Sequence, residues 1–358
     1  MPDTIQAIAN PYEPSSRYRE PAELLKPVVD PAGWYPADFS DRERWMYRLS
    51  DSEIGELHDA VASVEARGMD LKDITKEDFP LPNLGPVLDD FAEELMMGRG
   101  FGLIRGLPTE GRTRLQMAAA FWGIGTYMGT AKSQNTKGHL LGHVKDIGGS
   151  YKTGRGYMSR DALMFHTDRA DILSLCCLNN AKSGGEHRIA SSVTLYNEML
   201  KRRPDLAKEL TWRFYRLRKG EIPPDQPQRD WVREPIFSVQ DGFLSTRGPS
   251  APVFKAQELP DVPKLTDAQK EAIDMFMSVA AEVSVGIDFE PGDISFVVNH
   301  VVLHARTDYE DWDEDDRKRH LLRLWLRTGR RPLQEDVAQA LAGVVDEKTV
   351  FQTPLEAE

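Results

Sequence analysis

The sequence predicts a mainly β protein with flanking helices, an α+β chain whose centre is an antiparallel sandwich or barrel. Three observations point there. From about residue 128 onward, short apolar runs alternate with Gly, Asn and Asp turns, at 139–146, 162–166, 171–178, 188–194, 235–244, 283–289, 293–298 and 320–327. Helical patterns are confined to the N-terminal third, the C-terminus and two interruptions, Thr194–Lys201 and Asp267–Val279. The composition is that of an ordinary globular chain, 358 residues with 40% hydrophobic and 28% charged, which excludes global disorder.

The first 36 residues carry seven prolines, which prevents a long helix and predicts an irregular arm draped on the body. Ser50 and Glu53 then form a capping box, with Ile54, Leu57, Val61 and Val64 along one helical face and Gly68 placed to close it. A second helix is expected from Pro86 to Met97, with Gly98 as its C-cap. Phe101–Gly106 reads as a short buried strand, and Arg114–Trp122 as a helix. The stretch 202–265 is rich in Pro, Arg, Asp and Gln and is expected to be an insertion with a few strands. Residues 331–345 make a terminal amphipathic helix. The expected organisation is one elaborated domain over 81–330, carrying the insertion, with an arm and helix at 1–80 and a helix and tail at 331–358.

Charge narrows the function. With 45 Lys+Arg against 57 Asp+Glu the chain has a net charge of −12, which argues against nucleic acid and anionic membrane as partners. No apolar run is long enough to span a bilayer, and the first residues carry no secretory pattern. Cys176 and Cys177 are neighbours that a strand would point to opposite faces, so no disulfide is expected. A cytoplasmic protein is the expectation. The arm and the terminal helix are each available to a homo-oligomer interface.

Among eight histidines, His58 reads as a helix-boundary residue. His139 and His143 have the spacing of a helical metal pair, but the intervening glycines favour turn and strand. His166-Thr167-Asp168 is more informative, because residues two apart on an extended segment project to the same side. One imidazole and one carboxylate then converge on a cation, and a third ligand would complete a two-His, one-carboxylate face suited to non-haem Fe(II). Downstream, Gly292–Val298 reads as a turn and buried strand, followed by His300 and His304. After an acidic loop, Arg319, Arg323 and Arg327 share strand parity, and an arginine facing a metal pocket is a fork for a carboxylate.

The order HxD, then Asn299-His300-Val301-Val302-Leu303-His304-Ala305-Arg306-Thr307, then an Arg about fifteen residues on, resembles the taurine-dioxygenase-like (TauD/TfdA) family. Arg99–Leu107 is similar to that family's opening strand, and Ser183-Gly184-Gly185-Glu186 to its turn after the HxD strand. The resemblance covers roughly 85–330 and implies a double-stranded β-helix (jelly-roll) core of the clavaminate synthase-like type. It implies an Fe(II)- and 2-oxoglutarate-dependent dioxygenase that uses O2, releases succinate and CO2, and hydroxylates, desaturates or cyclises a small organic substrate. His166, Asp168 and His304 would ligate iron, with His304 preferred over His300 because it lies five residues after Asn299. Arg319 would pair with the 2-oxoglutarate carboxylate, and Arg323 with an anionic substrate group. His187 stands where relatives carry Thr or Ser near the co-substrate, and Gln134 and Asn135 are pocket candidates. The alternatives are a 2-oxoglutarate-independent iron oxygenase and a non-catalytic β-helix protein binding metal or a small acid.

Overall fold

In the computed structural model, residues 11–148, 158–218, 229–342 and 349–357 are described. The runs that read as continuously apolar are strands covered on both faces, which is why they do not alternate. Ile294–Val298 is buried at every position and Ile172–Asn179 at all but its last two. They lie side by side in a seven-stranded sheet ordered Met46–Arg48, Phe101–Arg105, Ile294–Val298, Ile172–Asn179, His320–Arg327 and Thr130–Ala131, with Leu141–Val144 also paired to His320–Arg327. A four-stranded sheet ordered Ser284–Ile287, His187–Ser191, Val302–Arg306 and Leu163–His166 forms the opposite wall. Both are antiparallel except where Met46–Arg48 joins Phe101–Arg105. The two sheets form a jelly-roll core with a cavity between them.

The helices cover the outer faces. Asp51–Ala66 opens with the Ser50/Glu53 capping box and buries Leu57, Ala60, Val61 and Val64, while Ile54 is only half-buried. Leu84–Met97 ends at Gly98. The helix from Arg114 continues to Met128, beyond the expected Trp122, because its alanines and glycines are buried against neighbours rather than solvated. The expected strand 188–194 stops at Ser191, whose hydroxyl caps the helix Ser192–Arg202. The run 235–244 is a hairpin, Phe237–Gln240 with Phe243–Thr246, turned at Asp241-Gly242. A second hairpin, Arg213–Leu217 with Trp231–Pro235, and the short helices Pro204–Glu209 and Ala251–Ala256 complete the insertion. The terminal helix is Glu335–Leu341, shorter than the expected 331–345, whose last residues lie outside the described ones. Among the described residues no helix is long and apolar enough to cross a membrane, and both cysteines are free and buried.

The proline-rich arm is held by polar contacts rather than by secondary structure. Buried Glu94 pairs with Arg99 at 2.8 Å and accepts the Ser15 N–H at 3.0 Å, and Arg99 also donates to the Glu13 carbonyl. Further on, Trp34 is buried against Phe101 and donates its indole N–H to the Arg99 carbonyl at 2.9 Å.

One buried pair makes the fold acid-sensitive. His143 Nε2 lies 2.8 Å from the Pro354 carbonyl, so that nitrogen carries the proton and Nδ1 accepts from His320 Nε2, also at 2.8 Å. Burial pushes both imidazoles below their usual range, His320 to about 3, with His143, Arg114 and Lys145 adding to its shift. Once unfolded both titrate near ~6.5, so the unfolded chain binds more protons in acid and stability falls as pH drops below that value. For His320, held at about 3, the loss is roughly 1 kcal/mol per pH unit, and His143 adds in the same direction. The urea midpoint is therefore expected to fall between about pH 7.5 and about pH 5, with a shallower fall in His320→Gln. An equally steep fall in that variant would remove the pair as a cause.

Candidate metal centre and its cavity

Strand pairing builds the centre. Leu163–His166 runs antiparallel to Val302–Arg306 in a register that sets His304 opposite His166, ring centroids 4.1 Å apart. Asp168 follows on an extended loop whose conformation Asn299 fixes. The Asn299 side-chain oxygen accepts the Asp168 N–H at 2.9 Å, and its amide donates to the Ala170 carbonyl at 3.0 Å. One ligand atom from each of His166, Asp168 and His304 then falls within 4.8 Å of the others.

Each side chain is oriented by a neighbour. His166 Nδ1 lies 2.8 Å from the Met164 carbonyl, which can only accept, so Nε2 is left with its lone pair for a cation. The Trp325 indole donates to Asp168 Oδ2 at 2.9 Å, and that oxygen is 3.8 Å from His304 Nε2. Burial, then the charges of His166, His187 and Arg323, hold His304 neutral far below the usual imidazole range. Its lone pair therefore needs no deprotonation at neutral pH. Two imidazoles and one carboxylate on one side of a cavity fit Fe(II) with coordination positions left open. His300, the competing histidine, is turned away and holds Asp171 Oδ1 at 2.9 Å.

The cavity is about 250 Å³ and takes walls from both sheets and from the insertion. Arg319 enters just before His320–Arg327 and is buried, its guanidinium 5.2 Å from the Tyr309 ring. Its backbone N–H donates to Asp311 Oδ1 at 2.7 Å, while Nη1 is buried and has no hydrogen-bond partner among the described residues. Gly185 gives this side chain its lane: φ there is +72°, and a Cβ would stand 3.1 Å from Arg319 Nε. Arg306, two residues past His304, donates to the Ser159 carbonyl at 2.8 Å and to that of Asp161. Its Nε and Nη1 are likewise buried and unpartnered, and burial with Arg319 nearby pushes it down to about 10.

His187 pairs in register with Arg306, and its ring stacks on His304 at 6.1 Å between centroids. Burial, then Arg319 and His166, push it down to about 3, and its buried Nε2 has no partner among the described residues. It is a neutral hydrogen-bonding group beside two guanidinium groups. A site with two buried guanidinium groups that each keep unpartnered N–H groups, next to a neutral imidazole, is chemically suited to a carboxylate.

Arg323 is buried in the same cavity and donates from Nε to Gln134 Oε1 at 2.6 Å. The Gln134 amide in turn donates to the carbonyls of Leu140 and Arg323, each at 2.9 Å. Gln134 thus stands behind Arg323 and orients it, rather than lining the larger cavity. Asn135 shapes its own turn, its side-chain oxygen accepting the N–H groups of Lys137 and His139, and faces a separate small cleft. The structure therefore brings His166, Asp168, His187, His304, Arg319 and Arg323 around one cavity, and sets Gln134 and Asn135 outside its lining.

The 202–265 insertion does shape the cavity, but the sequence singled out none of the residues by which it does so. Buried Glu234 pairs with Arg216 at 2.8 Å and with Arg247 at 3.3 Å. Arg247 reaches on to the Thr167 hydroxyl at 3.1 Å and the Asp168 carbonyl at 2.8 Å. Gly248 donates to the same hydroxyl, and a Cβ on it would meet the His166 Cα at 3.1 Å. The middle residue of the HxD motif is thus gripped by a segment some eighty residues away. Nothing local in the sequence marks Arg216, Glu234 and Arg247 as other than solvated charges.

Residues 66–325 match the family described as Taurine catabolism dioxygenase TauD, TfdA family. FR-33289 synthase of Streptomyces rubellomurinus is 33% identical over 316 residues, covering 85% of this chain and 91% of that protein. Taurine hydroxylase-like protein SAT17 of Stachybotrys chartarum is 30% identical over 318 residues, covering 84% and 80%. Among solved structures, asparagine oxygenase with Fe(II), 3-hydroxyasparagine and succinate has a similar fold, with a TM-score of 0.61 at 17% identity over 79% of this chain and 94% of that one. The non-haem iron oxygenase OrfP with Fe and α-ketoglutaric acid matches at a TM-score of 0.58 and 18% identity, over 79% and 93%.

Arg247 holds the loop that carries Asp168 without itself joining the His166, Asp168 and His304 cluster. Arg247→Met is expected to weaken Fe(II) binding about tenfold, with Arg247→Lys in between. Anaerobic metal titration of both variants measures this, and wild-type affinity in Arg247→Met would reduce the Arg247 contacts to packing.

Proposed function

The chain belongs to the TauD, TfdA family and is an iron(II)- and 2-oxoglutarate-dependent oxygenase; we propose that it oxidises a small organic substrate held at Arg323 by an anionic group. In this reading His166, Asp168 and His304 hold the iron, Arg319 and Arg306 take the far carboxylate of 2-oxoglutarate, and neutral His187 donates a hydrogen bond near it. The observation that carries the reading is the convergence of three ligand atoms within 4.8 Å beside a buried arginine whose Nη1 has no partner.

Iron bound there supplies oxygen activation coupled to decarboxylation of 2-oxoglutarate, which gives succinate and CO2 and oxidises a substrate C–H bond. The protein's contribution is position and polarity. His166 is fixed by the Met164 carbonyl, and Asp168 by Trp325 and Asn299. Because His187 stays neutral, the co-substrate end gains a donor without a further positive charge near the iron. Arg323 is pre-oriented by Gln134, so a substrate carboxylate meets a guanidinium already held in place. Leu173 and Leu175 line the cavity and keep the reacting carbon in an apolar setting. Hydroxylation is the favoured outcome, with desaturation or ring closure open to the same hydrogen abstraction. The asparagine oxygenase and OrfP structures hold 3-hydroxyasparagine and hydroxyarginine, small molecules of this kind. A cytoplasmic location belongs to the same reading, since 2-oxoglutarate is a metabolite of the cell interior and both cysteines are free thiols.

His166→Ala is expected to abolish iron binding and substrate-dependent succinate release. In Arg323→Gln, KM for the substrate should rise about tenfold or more, while KM for 2-oxoglutarate stays within about twofold. Steady-state succinate assays separate the two. Equal rises in both constants would remove Arg323 from the substrate end.

A further inference from the structure

Seven arginines and only two carboxylates, Asp168 and Glu234, line the cavity among the described residues. Most of the arginines have an evident partner. Arg216 and Arg247 share Glu234, Arg323 is held by Gln134, and Arg169 donates from Nε to the Ala340 carbonyl at 3.1 Å. Arg306 and Arg319 face the co-substrate end. Arg218, at the end of the insertion strand Arg213–Leu217, differs from all of these. It is only 4% exposed, its Nε is buried without a hydrogen-bond partner, and it forms no ion pair among the described residues. Its guanidinium is instead disfavoured by burial first and by Arg169 second, with Glu234 the one opposing charge.

An unpaired buried charge is costly, and a second cation beside it adds to that cost. Iron would add two positive charges and 2-oxoglutarate would remove them, so the excess remains. A substrate with one anionic group at Arg323 would still leave Arg218 uncompensated on the insertion side. Arg218 follows the insertion strand Arg213–Leu217, whereas Arg319 and Arg323 belong to the His320–Arg327 strand and its first approach, so the two lie on different walls of the cavity.

We propose that Arg218, with Arg169 beside it, forms a second anion subsite of the cavity, and that the substrate carries two oxyanion groups, one at Arg323 and one at Arg218. The proposal rests on the reading of Arg323 as the substrate arginine. The insertion then sets specificity. A molecule with one charged end leaves Arg218 bare, whereas a dicarboxylate, or a carboxylate with a phosphate at its far end, satisfies both guanidinium groups at once.

The test uses calorimetry on the protein saturated with Fe(II) and 2-oxoglutarate under anaerobic conditions. The probes are dicarboxylates from adipate to sebacate, phosphate monoesters of the matching hydroxy acids, and monocarboxylates of equal length. In the wild type the best dianion is expected to bind about tenfold or more tightly than its monoanion. Arg218→Gln should bring that ratio within about twofold and leave monoanion binding unchanged, while Arg218→Lys keeps part of it. If phosphate monoesters outdo every dicarboxylate, the far group is a phosphate type; the reverse order makes it a carboxylate. No preference in the wild type at any length, or a preference that survives in both Arg218→Gln and Arg218→Met, would overturn the second subsite. Arg323→Gln reads the earlier assignment separately: it should weaken monoanions and dianions alike. If it weakens neither, the Arg323 assignment fails, while the Arg218 comparison is still decided by its own variants.

Discussion

Everything at this site depends on one register, the antiparallel pairing that sets His304 against His166. Because side chains alternate along a strand, a slip of either strand by one residue would turn its imidazole out of the cavity and separate the pair. Several contacts outside the pair fix that register. Val302–Arg306 is held on its other edge by His187–Ser191, where Arg306 meets His187. Asn299, at the turn into the His304 strand, ties the loop that carries Asp168. Arg247 grips the same loop from the insertion. The side chains of His166, Asp168 and His304 are therefore placed by strands and straps distant in sequence.

Around that register the cavity is positively charged in a protein whose net charge is −12. The buried guanidinium groups are tolerated because carbonyls, the Glu234 carboxylate and aromatic faces take part of their hydrogen-bonding capacity. What remains unpaired is what an anionic ligand can use. Affinity here comes from relieving a cost already present in the folded protein, so acids gain most and neutral molecules little. Neutral His187 and His304 belong to the same balance, since protonating either would add charge where arginines already crowd.

Much of this was legible in the sequence, and the reason is locality. His166 and Asp168 are two residues apart, the Asn299–Thr307 segment carries its turn and His304 together, and Arg319 and Arg323 share one strand face. The helix caps at Ser50 and Gly98 were equally readable, because capping is a short-range pattern. What stayed hidden depends on long-range pairing. Trp325 sits in an apolar run, and only the fold brings its indole onto Asp168; Gln134, a pocket candidate in the sequence, stands behind Arg323. Arg216, Glu234 and Arg247 acquire meaning only once the insertion folds back over Thr167.

In the proposed reading, His166, Asp168, His304 and Arg319 make a chelate site for Fe(II) and 2-oxoglutarate. Anaerobic titration of the metal-free protein with both components tests it directly, read by the weak visible charge-transfer band of the iron–keto-acid chelate. A band that requires both components, and that needs much more 2-oxoglutarate in Arg319→Ala, is the predicted result. Iron binding with no band at any 2-oxoglutarate concentration, or a band indifferent to Arg319, would contradict it.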